Sequence, residues 1–462
     1  MFETRNPAKS GQVIASYSPN SPAEVNAALK VARTAQRIWA EQGAASRERT
    51  LSAFVAALQD RAEDLAEAIT MEQGKPLGEA RGEVAKSLSE SRFMTAQILA
   101  PIGEVMPSAR PGVRSWTMRR PRGVVAGITP WNFPVLTPLR KVMPALAFAN
   151  AIVLKPSELT PKAALIIENC ARENLPGGLV QCVIGGVEVG RALIGDGEVD
   201  AITFTGSVEV GRGIYRMAAE NLTEISLELG GKNPAIINDT GNLDGCLDQL
   251  FNAAMICAGQ RCTSISRIIV AEPLAEAVIA GLARRAEAAV VGDGMTDGVT
   301  IGPLISAAHR DKVAAYVAAA EKDGARLVTG GLPDADRGLD DGYFYLPTIL
   351  AGVRPDSRIF QEEVFGPVLS ITTYDKFDDA LSLANSVRYG LSSSLFSERQ
   401  EVVERFLAES QSGMLHVNHG TTPDSHMPFG GIKDSGVGAP SVGRSAAAFY
   451  TTEHAAYTMP KA

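Results

Sequence analysis

The feature that most constrains the fold is a series of short apolar segments that alternate with helical patterns between residues 121 and 231. The apolar segments include GVVAGIT, AIVL and AITFT, and stretches such as TPKAALIIENCAREN and SVEVGRGIYRMAAEN separate them. Strand-length apolar runs separated by helices predict βαβ units and therefore a parallel sheet that is buried on both faces. Such a sheet binds its ligand at the carboxyl ends of the strands.

The rest of the chain reads as further helices and a second α/β stretch. The first hundred residues have helical patterns, and Ser21, Pro22 and Glu24 predict a capped helix start of the capping-box type. A second α/β stretch spans roughly residues 233–432. The Pro- and Arg-rich segment near 101–120 predicts an extended excursion, and the aromatic tail predicts a terminal strand that could pair with another subunit.

Length, charge and hydropathy exclude several classes of protein. The chain has 462 residues and a net charge of −8, and this length is enough for about three domain-sized units. The acidic balance argues against a nucleic-acid binder and against docking on an acidic membrane surface. No apolar run approaches the roughly 18 residues of a membrane span, and the first twelve residues lack a signal-peptide pattern. We therefore expect a cytoplasmic protein.

The five cysteines are few and odd in number, so we expect free thiols in a reducing compartment. No CxxC or Cys/His pair has zinc spacing, and no metal is expected. Two of the cysteines, Cys257 and Cys262 in MICAGQRCTS, lie five residues apart. Composition alone leaves open whether they are core residues or include a nucleophile.

Two turns could hold a nucleotide. In FTGSVEVG, Gly206 allows a tight turn and Ser207 begins a helix whose free N–H groups favour a phosphate, although a plain N-cap explains the same letters. The segment Gly211–Gly213 lies inside a predicted helix, so it is not a GxGxxG motif. In LKPSE, Lys155 and Glu158 emerge at the end of a strand and could bind ribose hydroxyls or be surface charges.

Other segments carry groups suited to carbonyl chemistry. In TPWNFP, Trp131 and Asn132 lie between two prolines, and an immobilised amide is a good oxyanion donor or simply a turn residue. Cys262 in GQRC can attack a carbonyl, and Glu228 in ELGG can activate water against a thioester. Taken singly, each is equally compatible with a structural role.

The segment FQEEVFGPV offers two acids and an aromatic ring. Glu362 or Glu363 could bind sugar hydroxyls, and Phe365 could lie beside a flat ring. A charged turn ahead of a buried strand explains the same pattern.

Together and in order, TPWNFP, KPSE, FTGS, LELGGKNP, GQRC, EEVFGP and PFGGIKDSG resemble the NAD(P)+-dependent aldehyde dehydrogenase superfamily from about residue 5 to residue 458. The resemblance implies an α/β fold with a Rossmann-like cofactor domain, an α/β catalytic domain and a β-flap that builds homodimers or homotetramers. The corresponding ranges are 1–104 and 123–232 for the NAD-binding domain, 233–432 for the catalytic domain, and 105–122 and 433–462 for the oligomerisation element.

The resemblance also implies the catalytic roles. Cys262 is then the nucleophile that forms a thiohemiacetal with the aldehyde, and hydride transfer to the nicotinamide leaves a thioester. Asn132 and the Cys262 backbone N–H would hold the oxyanion, and Glu228 would activate the water that releases the carboxylic acid. Since Glu228 is present, the resemblance favours a hydrolytic enzyme over a CoA-acylating one, and the intact constellation argues against a catalytically silent NAD-binding protein.

The implied cofactor site uses the two turns described above. Its residues are Lys155 and Glu158 at the adenosine ribose, Gly206 and Ser207 at the pyrophosphate, Glu363 at the nicotinamide ribose, Phe365 beside the ring, and Trp131. A carboxylate at Glu158 would accept the 2′-hydroxyl of NAD and repel a 2′-phosphate. We therefore expect NAD in preference to NADP.

The substrate signal is Arg140, eight residues after Asn132. Succinate-semialdehyde and lactaldehyde dehydrogenases carry an Arg there, which could pair with a substrate carboxylate. The second Arg of the semialdehyde group is Ile256 in this chain, and Arg140 could also be a surface or interface charge. We expect a small polar aldehyde or semialdehyde.

Overall fold

The chain begins with a strand pair and four helices, as seen in a computed structural model that describes residues 1–100 and 103–460. These elements are β1 (Phe2–Asn6), β2 (Lys9–Tyr17), α1 (Pro22–Glu41), α2 (Ala44–Asp60), α3 (Ala62–Gln73) and α4 (Leu77–Ala96). The antiparallel hairpin β1–β2 was not predicted, because no residue of β2 is buried and the strand lacks a period-two apolar pattern.

The predicted start of α1 is confirmed. Ser21 Oγ accepts the Glu24 N–H at 3.3 Å, and Glu24 Oε2 accepts the Ser21 N–H at 2.7 Å. Pro22 occupies the first helical position, where its missing N–H costs nothing.

A six-stranded sheet forms the half of the molecule that the alternating pattern predicts. After the short strands β3 (Val105–Met106) and β4 (Arg114–Pro121), its elements are β5 (Val124–Ile128), α5 (Leu136–Ala147), β6 (Ala151–Lys155), α6 (Lys162–Asn174), β7 (Val180–Cys182), α7 (Val187–Ile194), β8 (Ala201–Thr205), α8 (Val208–Glu220) and β9 (Glu224–Glu228). Strands β9, β8, β5, β6 and β7 lie in that order and are parallel. The chain runs from β5 outward to β6 and β7 and then crosses to the other side of β5 to form β8 and β9. The crevice between β5 and β8 is therefore the topological switch point, where such sheets bind ligands.

One predicted helix end differs from the structure. Helix α6 was expected to end at the glycines of LPGG, but it ends at Asn174. Leu175 precedes Pro176 and is extended (φ −118°, ψ 160°), as the clash between a proline ring and the preceding residue requires.

A seven-stranded sheet forms the second α/β stretch. Its elements are β10 (Asn233–Ile237), α9 (Leu243–Met255), β11 (Ile265–Ala271), α10 (Ala275–Ala288), α11 (Ala307–Lys322), β12 (Arg326–Gly331), β13 (Leu346–Ala351), α12 (Arg358–Gln361), β14 (Val368–Tyr374), α13 (Phe377–Asn385), β15 (Tyr389–Gly390), β16 (Ser392–Phe396), α14 (Gln400–Glu409) and β17 (Met414–Val417). The strand order is β12-β13-β14-β11-β10-β16-β17, with only β12 antiparallel to its neighbour; β15 pairs elsewhere, with β18 (Ile432–Lys433).

The C-terminal segment completes the six-stranded sheet and also forms part of a separate three-stranded sheet, the flap. Strand β19 (Gly436–Val437) pairs with β9, so this part of the range 433–462 joins the six-stranded sheet. After α15 (Ala446–Tyr450), β20 (Thr451–Thr458) pairs with β4 of the same chain, and β4 pairs with β3. The predicted terminal strand is confirmed. Residues 101–102 and 461–462 of the predicted ranges lie outside the described residues.

Two absences concern only the described ranges 1–100 and 103–460. None of their helices combines the length and apolarity needed to cross a bilayer. They also contain no cluster of three or more His, Cys, Asp or Glu side chains that could hold a metal ion. All five cysteines are free thiols.

Candidate active site

A cavity of about 600 Å³ lies between the two sheets, at the carboxyl ends of β5, β8 and β9. Nine of the predicted site residues line it: Trp131, Asn132, Arg140, Gly206, Ser207, Glu228, Cys262, Glu363 and Phe365. Lys155 and Glu158 do not line this cavity; they lie at the end of the neighbouring strand β6, 3.5 Å apart. The structure thus brings together residues that are up to 234 positions apart in the chain, from Trp131 to Phe365.

The turn that carries Cys262 has a strained and well-anchored backbone. Cys257 and Ala258 both adopt left-handed conformations, with φ values of 58° and 52°, which cost energy for residues with a Cβ. Gly259 follows with φ 70°, and a Cβ there would collide with the backbone of Gly366. The glycine of GQRC therefore allows the turn to approach the segment that carries Phe365.

Gln260 fixes the same turn from inside. Its side-chain Nε2 donates to the Cys257 carbonyl at 3.0 Å, and its Oε1 accepts the Ile305 N–H at 2.9 Å. The Gln260 carbonyl in turn accepts the Asn132 amide at 2.8 Å. One Nδ2 hydrogen of Asn132 is thus engaged, and an amide has a second one to offer. The two turns that carry Asn132 and Cys262 are joined directly.

The Cys262 thiol lies in an environment that keeps it protonated. Burial raises its pKa to about 11, and the carboxylates Glu363 and Glu228 act in the same direction. The guanidinium groups of Arg261 and Arg140 act in the opposite direction. Since a thiolate is the reactive form, the positive charge beside the sulfur is the main feature that favours its reactivity.

Glu228 is the last residue of β9 and is buried. Its Oε2 atom has no hydrogen-bond partner among the residues that the structure describes, which is unusual for a buried carboxylate. Burial raises its pKa to about 8, although Lys141 and Arg140 partly offset this effect. A Cβ at Gly430 would lie 3.2 Å from Glu228 Oε1, so this glycine of PFGG leaves room beside the carboxylate.

The turn of FTGS begins helix α8 and borders the cavity. The Ser207 side chain accepts the Val210 N–H at 3.4 Å and is therefore the N-cap of this 13-residue helix. The Gly206 N–H donates to the Glu228 carbonyl at 3.0 Å, and a Cβ at Gly206 would collide with the Phe204 ring. The N-cap interpretation holds, and Gly206 and Ser207 place the N-terminal end of this helix at the edge of the cavity.

Glu363 and Phe365 form the opposite wall. Glu363 Oε1 accepts the Gly231 N–H at 3.0 Å, and burial raises the pKa of this carboxyl to about 7. Phe365 is left-handed (φ 59°), and its ring lies edge-on to Trp131 with centroids 5.6 Å apart. Its carbonyl is 2.7 Å from His309 Nε2.

Glu362, the alternative acid of this segment, belongs to a different environment. Its Oε2 atom accepts a hydrogen bond from the Tyr316 hydroxyl at 2.6 Å and pairs with Arg358, at the start of α12, at 2.9 Å. The structure therefore separates the two adjacent acids, and only Glu363 lines the cavity.

Arg140 lines the cavity, but an acid within the chain already holds its guanidinium. Its Nε and Nη2 atoms donate to both oxygens of Glu90 at 2.7 Å, and its guanidinium lies 4.4 Å from the Phe429 ring centroid. The side chain is 13% exposed, so the interpretation as a surface charge is wrong. A bidentate pair uses the edge of Arg that a substrate carboxylate would need.

Sequence reasoning missed several charged residues of the cavity, and two of them, Lys141 and Arg261, lie next to the predicted site residues. Lys141 is buried, donates to Thr203 and Thr205 hydroxyls, and has a pKa that burial lowers to about 7. Arg261 directly precedes Cys262, and its Nη2 donates to the Thr421 carbonyl. The signals were a lysine inside the apolar run of α5 and an arginine next to the candidate nucleophile.

With this geometry in view, comparisons with known proteins identify the class. The aldehyde dehydrogenase family model matches residues 1–455. The chain belongs to the aldehyde dehydrogenase family. The resemblance inferred from the seven motifs is confirmed.

Relatives are similar over nearly the whole chain. An α-ketoglutarate semialdehyde dehydrogenase from Haloferax volcanii is 36% identical, covering 98% of this chain and 95% of the relative. A betaine aldehyde dehydrogenase from Bacillus subtilis is also 36% identical, covering 92% and 88%. A crystal structure of betaine aldehyde dehydrogenase from Staphylococcus aureus in complex with NAD+ has a TM-score of 0.96 and 32% identity, covering 100% of this chain and 92% of that one. The predicted α/β aldehyde dehydrogenase fold is confirmed.

Proposed function

We propose that this aldehyde dehydrogenase oxidises a small aldehyde that carries a carboxylate, with NAD as the hydride acceptor and Cys262 as the covalent nucleophile. The observation that carries the proposal is the meeting of three groups in one cavity: the Cys262 thiol, the immobilised Asn132 amide and the unpartnered Glu228 carboxylate. Nucleophile, oxyanion donor and general base are what acyl transfer to water requires.

The residues around the cavity fit a dinucleotide. Helix α8 presents its N-terminus at the switch point of the six-stranded sheet, as a pyrophosphate needs. Glu363 has an orienting bond from Gly231, and a Cβ at Gly230 would collide with its carboxylate, so the two glycines let this acid sit close to the backbone. Glu158, with Lys155 beside it, favours a ribose 2′-hydroxyl over a 2′-phosphate. Bound NAD+ supplies the hydride acceptor for the oxidation.

The first half of the reaction uses Cys262 and Asn132. The thiolate attacks the aldehyde carbon, and the free N–H of the Asn132 amide stabilises the oxyanion of the thiohemiacetal. Loss of hydride from that carbon leaves the acyl group on the sulfur as a thioester. Arg261 and Arg140 favour the thiolate that starts this sequence.

The second half uses Glu228. Its carboxylate takes a proton from water, the hydroxide adds to the thioester carbon, and the C–S bond breaks to release the acid and the Cys262 thiolate. Among the described residues Glu228 Oε2 has no hydrogen-bond partner, so this oxygen is free to bind that water. A base of this kind supports hydrolysis over transfer to CoA.

Arg261 is the residue that we assign to the substrate carboxylate. Within the described residues its guanidinium forms no ion pair, and burial lowers its pKa, which means that its charge is poorly compensated. A carboxylate on the substrate would supply the missing partner. The names of the Haloferax volcanii and Bacillus subtilis semialdehyde relatives, 36% and 34% identical, agree with this substrate class.

A betaine aldehyde is the second candidate, since relatives with that name are equally similar. Its cationic end would face the guanidinium of Arg261, so charge disfavours it. The test compares succinic semialdehyde, butanal and betaine aldehyde by NADH absorbance. We expect the highest kcat/KM with succinic semialdehyde and a larger loss for it than for butanal in Arg261→Met. Equal losses for both substrates would refute the assignment.

We further propose a homodimer or homotetramer in the cytoplasm. The flap formed by β3, β4 and β20 supports assembly because its edge strand β3 exposes Val105 and Met106, and an exposed apolar edge favours pairing with another chain.

A further inference from the structure

We propose that the buried ion pair between Lys75 and Glu83 is a positioning device that, together with Cys257, sets the Asn132 amide relative to the Cys262 sulfur. The inference rests on the proposed function, because it concerns the oxyanion geometry of that reaction. Lys75 precedes α4 and Glu83 lies on it, so one helix would control a turn that is more than 45 residues away in the chain.

Lys75 holds the Asn132 turn through its backbone. Its Nζ donates to the Asn132 carbonyl at 2.8 Å and to Glu83 Oε2 at 2.7 Å. The same ammonium lies 3.8 Å from the centroid of the Phe133 ring. Three partners thus fix the position of one charge, and the peptide that carries the Asn132 side chain is one of them.

Glu83 holds the other end of the turn. Its second oxygen, Oε1, accepts the N–H groups of Val135 and Leu136 at 2.9 and 3.0 Å, at the start of α5. Backbone N–H groups at a helix start need such an acceptor. The ion pair therefore grips the segment 132–136 at both ends.

Cys257 connects this segment to the nucleophile turn. Its Sγ donates to the Asn132 carbonyl at 3.6 Å, and its backbone N–H donates to Glu79 Oε2 at 2.8 Å. Burial raises the pKa of the Cys257 thiol to about 12, so the thiol keeps its proton and can donate. Glu79 also lies on α4, so this helix anchors both the Asn132 turn and the left-handed turn that leads to Cys262.

Stability alone does not account for the choice of two charged residues at these positions. The side chains of Lys75 and Glu83 are each 1% exposed, and replacing a buried ion pair by apolar residues is often neutral or stabilising. The pair is instead the only charged contact among the described residues that bonds the Asn132 carbonyl. The hydrogen bonds of Lys75 and Glu83 hold the backbone of residues 132–136, which positions the Asn132 side chain.

The test is a double-mutant cycle between Lys75→Met and Asn132→Ala, measured as kcat for aldehyde-dependent NADH formation by the full-length enzyme. Misplacing a reacting group by about 1 Å can lower the reaction rate about 10²-fold, and losing an oxyanion donor lowers kcat about 10²–10³-fold. If Lys75 acts through Asn132, Lys75→Met lowers kcat about 100-fold in the wild-type background and hardly at all in Asn132→Ala. Equal losses in both backgrounds would overturn the proposal.

Two further variants keep the result interpretable. Glu83→Gln keeps an acceptor for the helix start and removes only the charge, so it replaces Lys75→Met in the cycle if that variant does not fold. Arg33 lies on α1, away from the cavity, and forms an ion pair with Asp200 at 2.6 Å, so Arg33→Met should leave kcat unchanged. Failure of the proposed function appears differently, as a wild-type enzyme without aldehyde-dependent NADH formation.

Discussion

At the residue scale, burial determines the chemistry of the cavity. It raises the pKa of Cys262 and Glu228 and lowers that of Lys141, while Arg261 keeps a positive charge next to the sulfur. The Cys262 thiol and the Glu228 carboxyl are therefore mainly protonated at neutral pH, and their reactive thiolate and carboxylate are the minor forms. Activity should depend steeply on pH for this reason.

The pH dependence of turnover follows from Glu228. Its raised pKa of about 8 means that the carboxylate, the form that acts as a base, gains population as pH rises through 8. Where deacylation limits the rate, kcat should fall close to tenfold per pH unit below that value. A kcat profile that is flat from pH 6 to pH 8.5 would contradict the role of Glu228 as the base.

Thiol reactivity tests the charge beside Cys262. Arg261→Met removes a positive charge that lowers the pKa of the sulfur, so the thiolate fraction should fall. Iodoacetamide should then alkylate Cys262 several-fold more slowly at pH 8, and Arg261→Lys should restore most of the rate. Alkylation of Arg261→Met at the wild-type rate would exclude an electrostatic role.

At the element scale, the sequence predicts what is encoded locally. The segments from β5 to β9 alternate between short, mostly apolar strands and helices with apolar residues at helical spacing, and the capping box fixes the start of α1 at Ser21. The β1–β2 hairpin was not predicted because its strands are held by mutual hydrogen bonding and β2 contributes no buried apolar face that a sequence pattern would show. The pairing of Arg140 with Glu90 was also out of reach, since it joins residues 50 positions apart on α4 and α5.

The capping box gives a prediction for α1. Ser21→Ala removes the side-chain acceptor of the Glu24 N–H and should destabilise the first turn by about 1 kcal/mol. Hydrogen exchange of the amides in this turn should become about fivefold faster, whereas Ser21→Asp, which can still cap, should exchange like the wild type. Unchanged exchange in Ser21→Ala would show that tertiary contacts alone hold the turn.

At the scale of the whole molecule, contacts between distant segments build the site. The six-stranded sheet supplies Asn132 and Glu228, the turn before β11 supplies Cys262, and the segment before β14 supplies Glu363. The seven motifs predict the members of this set through the family resemblance. The roles proposed for Arg261 and Lys75 were not predictable, because they depend on which buried cations find a carboxylate partner within the folded chain.

The flap gives a prediction for assembly. Strand β20 holds β4, and β4 holds β3 with its exposed apolar side chains. Light scattering should therefore give the mass of two or four chains for the wild type and a smaller assembly after removal of residues 452–462. A monomeric wild type at micromolar concentration would refute the proposed assembly.

The most direct test of the central claim is a mass measurement on the Glu228→Gln variant mixed with NAD+ and succinic semialdehyde. This variant can form the thioester but lacks the base that hydrolyses it. We predict a burst of about one NADH per active site, slow turnover, and a succinyl adduct that peptide mapping assigns to Cys262. Steady turnover at the wild-type rate, or an adduct on any other residue, would contradict the account.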